Sequence, residues 1–139
     1  QMIPIINASS TNPQRVRLIA PAGYGKSFLC KVIANEIAQR KQKYVVVTLT
    51  GRCASELKVN TLHSLLGWYD IYCSNKTLIS MPVSEKTKEK LKGVNWLIID
   101  ETSLIGGSLL ATISRRLSFI FSNDKSFGGL SILFLCDFN

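Results

Sequence analysis

The residues Ala20-Pro21-Ala22-Gly23-Tyr24-Gly25-Lys26-Ser27 constrain this chain more than any others. They follow an apolar run, Val16-Arg17-Leu18-Ile19, and lead into a helical pattern. A strand, a glycine-bearing turn and a helix, in that order, is the setting of a phosphate-binding loop. Gly23 and Gly25 allow positive φ and let backbone N–H groups approach phosphate oxygens. Lys26 is expected to reach the β- and γ-phosphates of ATP, and Ser27 to offer its hydroxyl to Mg²⁺. The helix that starts there turns its positive end toward the anion. The usual pattern is G-x-x-x-x-G-K-S/T, and its first Gly is Ala20 here. Ala is the smallest replacement, so a slightly stiffer loop is expected rather than a dead one. The competing reading is a chance glycine-rich turn between strand and helix.

A chain of 139 residues, 46% of them apolar, fits one domain with a real core and excludes disorder. The longest apolar run, around Ile132 to Cys136, is too short to span a bilayer. No secretory pattern is visible at Gln1, and the missing Met there suggests a piece of a longer chain. The net charge is +8, from 17 Lys+Arg against 9 Asp+Glu. That favours an anionic partner such as nucleic acid as much as it describes a solvated basic surface. Cys30, Cys53, Cys73 and Cys136 form no C-x-x-C pair, and His63 is the one histidine, which argues against a zinc site. The cysteines read as small buried apolar residues in a reducing compartment. The expected location is intracellular, nuclear or mitochondrial in a eukaryote.

Along the chain, Gln1 to Ile6 reads as the tail of a helix and Asn7 to Gln14 as a loop. Val16 to Ala20 is the first strand. Lys26 to Arg40 is a helix, with Phe28, Leu29, Val32, Ile33 and Ile37 as its buried face. The runs Tyr44 to Leu49, Trp96 to Ile99 and Leu130 to Leu135 are uninterrupted, as in strands buried on both faces of a parallel sheet. Thr61 to Trp68 is a short helix capped by Asn60 or Thr61. Tyr69 to Met81 shows no period. Ser84 to Lys92 alternates Lys and Glu and reads as a short exposed helix with a solvated charged face. Leu104 to Phe121 is a second long helix, with Leu109, Ile113, Leu117 and Ile120 as its stripe and Arg115 and Arg116 beside it.

Asp100 and Glu101 immediately follow the strand Trp96 to Ile99. Parallel strands end at the ligand-binding rim of an open α/β sheet. Asp100 is expected to hold hydrated Mg²⁺ together with Ser27, and Glu101 to polarise the water that attacks the γ-phosphorus. Such chemistry depends on positioning and charge neutralisation more than on covalent help. A water-activating Glu has little use in a small-molecule kinase, so a hydrolase that turns ATP energy into motion is favoured. The plainer reading of the pair is an acidic helix cap.

Further stretches can be read together with these. They are Thr50-Gly51-Arg52-Cys53-Ala54 followed by Thr61-Leu62-His63-Ser64-Leu65-Leu66-Gly67; Asp100-Glu101-Thr102-Ser103-Leu104-Ile105; and Phe127-Gly128-Gly129 before Cys136-Asp137-Phe138. From Val16 onward this set resembles the Pif1-like DNA helicases, relatives of RecD in helicase superfamily 1B. The resemblance implies an α/β P-loop NTPase fold: a RecA-like, mostly parallel sheet with helices on both faces. It implies an ATP-dependent 5′→3′ DNA helicase acting in repair, recombination or telomere maintenance, with ATP and Mg²⁺ as cofactors and single-stranded DNA as partner. Thr50, Gly51, Thr61, His63 and Ser64 are then the expected strand contacts, which suits groups that bind phosphates without reading sequence. For Thr61 the plainer role is helix capping, and for His63 a packed ring.

The family's D-E-x-S-M matches Asp100 to Ser103, with Leu104 in place of Met. Its G-D-F-x-Q-L-P-P is matched in part, with Cys136 in place of Gly and the chain stopping at Asn139. The adenine-recognising Gln and the second RecA-like domain, with its arginine finger, are absent from this sequence. Residues 1–139 are therefore expected to form one N-terminal RecA-like ATPase domain of a longer protein, with 1–15 a leader and loop and 69–93 a variable insertion. Three rival readings remain: a degenerate fragment that binds without catalysis, an AAA-type ATPase, and a basic nucleic-acid-binding module.

Overall fold

The computed structural model describes residues 12–21, 23, 25–51, 54–55, 59–68, 73–102 and 105–137. The expected helix tail at Gln1 to Ile6 lies outside the described residues, as do Ala22, Tyr24, Cys53, Ser103, Leu104, Phe138 and Asn139. So do the side chains of Ala20 and Ser27.

The elements run β1 (Arg15–Ala20), α1 (Lys26–Gln39), β2 (Lys43–Thr48), β3 (Asn60–Thr61), α2 (Leu62–Leu65), α3 (Asn75–Ser80), α4 (Glu85–Leu91), β4 (Val94–Asp100), α5 (Gly107–Ile120) and β5 (Ser131–Asp137). The five strands form one sheet in the order β1-β5-β4-β2-β3, and every neighbouring pair is parallel. Parallel neighbours need crossovers, and α1 to α5 lie in them.

Alternation along β4 and β5 feeds two apolar layers. Trp96, Ile98, Leu133 and Leu135 pack with Ile33, Ala34 and Ile37 of α1. Leu97, Ile99 and Ile132 pack on the opposite face with Ile113 and Leu117 of α5, Leu62 and Leu65 of α2, Leu78 of α3 and Leu91 of α4. Among the described residues, α1 thus packs on one face and α2 to α5 on the other.

The structure corrects several expectations. Phe28 is 73% exposed and is no part of the buried face of α1. At about 100° per residue it stands roughly opposite Ile37 on the helix. Arg116, expected beside the stripe of α5, is fully buried. α5 runs from Gly107, after Ile105 N–H bonds back to the Thr102 carbonyl; the expected start at Leu104 lies outside the described residues. The stretch without a period contains α3, opened by Ser74, whose hydroxyl accepts from Thr77 N–H. Cys136 is buried as expected, but Cys30 and Cys73 are only half-buried.

Candidate nucleotide site and nucleic-acid face

Because the strands are parallel, their C-terminal ends share one rim. The glycine-bearing loop leaves β1 there. Gly23 has φ 86° and Gly25 φ 82°. A Cβ at either would meet nothing within 4 Å, so the left-handed backbone, not crowding, calls for glycine. Gly25 is the N-cap of α1 and its carbonyl accepts from Leu29 N–H at 3.0 Å. The Gly25 N-cap makes no side-chain hydrogen bond to α1, as a glycine cannot.

β5 separates β1 from β4. Two inter-strand spacings are about 10 Å, room for phosphates and a cation between loop and carboxylates. Asp100 closes β4, and Glu101 N–H donates to its Oδ1 at 2.9 Å. The Asp100 charge, together with burial, raises the pKa of the Cys30 thiol, burial being the larger cause. Cys30 lies in the first turns of α1, so the Asp100 charge acts on the helix that Lys26 and Ser27 begin.

Glu101 adopts φ 59°, a left-handed conformation unusual for a side-chain-bearing residue. The turn sends its carboxylate toward β2. Oε2 accepts from the Thr48 and Thr50 hydroxyls, each at 3.4 Å. Thr48 is fully buried and pairs in register with Asp100.

On the other side of β2, Thr48 pairs in register with Thr61 of β3. Asp100, Thr48 and Thr61 thus form a row across three strands at the rim. The Thr61 hydroxyl caps α2 by accepting from Ser64 N–H at 3.1 Å. His63 is half-buried, its ring edge against Trp68 at 5.5 Å between centroids. Burial lowers its pKa, so the ring is neutral near pH 7. Thr61, His63 and Ser64 line one groove of about 490 Å³. Thr50 does not join them; its hydroxyl turns to Glu101, and Gly51 is exposed beside it.

The PIF1-like helicase family model matches residues 2–139. This chain belongs to the PIF1-like helicase family. It is 28% identical over 141 residues to the ATP-dependent DNA helicase RRM3 of Saccharomyces cerevisiae, covering 96% of this chain and 19% of that protein. It is 31% identical over 119 residues to the ATP-dependent DNA helicase PIF1 of Candida albicans, covering 84% of this chain and 13% of that one. Among solved structures, a Bacteroides Pif1 helicase in complex with ADP-AlF3 and ssDNA superposes with TM-score 0.76 at 28% identity, over 98% of this chain and 30% of that one. The chain therefore spans a fifth or less of these curated relatives and about a third of that solved chain.

In this PIF1-like domain the rim brings together the loop, Asp100 and Glu101, and separately Thr61, His63 and Ser64. Sequence reasoning missed Thr48, which reads only as part of a β-branched strand. A signal was present: Thr48 and Thr50 sit two apart, and side chains two apart in an extended chain share a face. It also missed Lys86 and Lys90 of α4, which line the same groove as His63.

Proposed function

We propose that this PIF1-like chain is the nucleotide-binding half of an ATP-dependent DNA helicase motor that moves 5′→3′ along single-stranded DNA in DNA maintenance. The observation that carries the reading is the shared rim: a left-handed glycine loop at the head of α1 and a carboxylate pair ending β4, two strands apart.

The residues present fit Mg–ATP. Open space above Gly23 and Gly25 suits backbone approach to phosphate, and the Asp100 carboxylate at the end of β4, two strands from β1, suits a shared cation with Ser27. When bound, Mg–ATP supplies the phosphoanhydride and a divalent charge. The chain supplies the rest. Loop N–H groups and Lys26 hold phosphate oxygens. Glu101 polarises water and takes its proton on the carboxylate, oriented by the Thr48 and Thr50 hydroxyls. A relative solved in complex with both ADP-AlF3 and ssDNA supports reading this chain as part of a protein that takes a nucleotide and a single strand.

A second RecA-like domain would supply the arginine finger, worth ~10³–10⁵ in rate where measured. Residues 1–139 alone are expected to bind Mg–ATP weakly and to hydrolyse it far below a helicase rate. Titration with a fluorescent ATP analogue and Mg²⁺ tests the site. Binding by the parent chain that is lost in Lys26→Ala, with unchanged circular dichroism, is the expected result. Equal binding by both, or none by the parent, would overturn the assignment.

A further inference from the structure

We propose that Lys86 and Lys90 of α4 form a phosphate-binding wall that extends the single-strand track from Thr61, His63 and Ser64 onto α4. This rests on the reading above of the β3–α2 face as the nucleic-acid face, and it adds residues that the family motifs do not contain.

The groove has two walls. Thr61, His63 and Ser64 form one; Lys86 and Lys90 stand in the other. Among the described residues, no carboxylate lines it. That is notable for a helix read as alternating Lys and Glu. Lys86 and Lys90 enter the groove lining, whereas Glu85 and Glu89 of the same helix do not. Thr87 and Leu91 are the buried seam. Glu85 pairs with Lys88 at 3.1 Å on an exposed flank. Lys86 and Lys90, four apart, share the groove flank, a like-charge spacing that costs an isolated helix stability.

Lys90 is anchored there by a bond from its Nζ to Asn60 Oδ1 of β3 at 3.4 Å. Partial burial, and after it the charge of Lys86, lower its pKa. Among the described residues, these two cations stand together in a groove lining that includes no carboxylate. Four helical residues rise about 6 Å, so the two ammonium groups can address separate phosphates. Across the groove stand hydroxyls and a half-buried imidazole, which contact backbone and base faces without reading sequence. Cations on one wall, neutral polar groups on the other and, among the described residues, no acid between them match a phosphodiester strand.

The test is fluorescence anisotropy of labelled oligothymidylate against this chain over a NaCl series. The variants are Lys86→Ala/Lys90→Ala, the milder Lys86→Gln/Lys90→Gln, and the control Lys88→Ala/Lys92→Ala, which removes equal charge elsewhere on and beside α4. Each phosphate contact contributes ~0.7 to the salt slope of single-strand binding. Both groove variants should therefore show a slope shallower by about 1.4 and an affinity at least tenfold weaker at low salt, while the control stays near the parent. Groove variants that match a binding parent would overturn the lysine assignment and leave the nucleic-acid face standing. A control as damaged as the groove variants would overturn it too. Equal affinity for polyglutamate and oligothymidylate would replace the phosphodiester by an acidic polypeptide. A parent that binds no oligothymidylate at low salt would overturn both readings.

Discussion

α1 and α5 are each 14 residues long and pack on opposite faces of the same sheet, yet each places one residue against its type. α1 leaves Phe28 73% exposed, and α5 buries Arg116 completely. Angular position decides both cases. Phe28 stands opposite Ile37, whereas Arg116 falls about 20° from Leu109, on the inward stripe. The exposed ring gives up the burial of one side chain. The buried guanidinium is tolerable only because carbonyls receive it: Nε donates to Leu66 O at 3.0 Å, and Nη1 to Ile79 O at 3.1 Å and to Met81 O. The difference also separates two jobs. α1 starts in the phosphate loop and serves the rim, whereas α5 ties the α2–α3 side to the core.

That division makes substitutions separable. The largest effect is expected at the rim. In the full-length protein, Glu101→Gln should lower DNA-stimulated ATP turnover by ~10²–10⁴-fold while leaving Mg–ATP binding and the melting temperature near the parent's. A variant that also loses binding would merge the roles of Asp100 and Glu101.

On the α5 side the ranking should reverse. Arg116→Met removes the donor from two buried carbonyls and one part-buried one and should lower unfolding free energy by about 3 kcal/mol in urea titrations. A loss under about 1 kcal/mol would show the carbonyls finding other partners. Gly25→Ala forces a Cβ into left-handed backbone and should cost about 1 kcal/mol, with weaker nucleotide binding. An unchanged midpoint would mean that the loop rearranges.

The pH dependence of His63 is a smaller effect with a definite sign. Its folded pKa is depressed by burial, so the unfolded chain binds the proton more readily. The stabilisation of the neutral ring is present above about pH 6.5 and is lost as pH falls through the lower folded pKa. The urea midpoint of the parent should therefore fall more between pH 7.5 and 5.5 than that of His63→Gln; parallel falls would place the ring in open water. Phe28→Ser should change stability by no more than about 0.5 kcal/mol, and a larger loss would show that the ring is covered.

Much of this was legible in the sequence. Four strands and the two long helices follow from unbroken β-branched runs and the 3.6-residue period, and the rim follows from loop and carboxylates each abutting a strand. Phe28 was misread because an apolar residue was counted without its angle. Arg116 was misread because charge was weighed above the stripe, and its acceptors are backbone atoms that no sequence pattern displays. β3 was invisible because two residues, Asn60 and Thr61, carry no period. The groove was half legible: Thr61, His63 and Ser64 came from a motif. Lys86 and Lys90 become their neighbours only when α4 folds back across α2.

The Arg116 clamp has one more consequence, for which substitutions the α2–α3 side accepts. Its three hydrogen bonds to carbonyls make no demand on the side chains that carry them. Leu66, Ile79 and Met81 can change identity, within the limits of their packing, and the clamp still closes. The restriction falls instead on Gly67, where a Cβ would come 2.9 Å from Thr87 Oγ1 and 3.5 Å from Arg116 Nη2. Sequence drift around this anchor should therefore spare one glycine and one arginine while the residues between them wander.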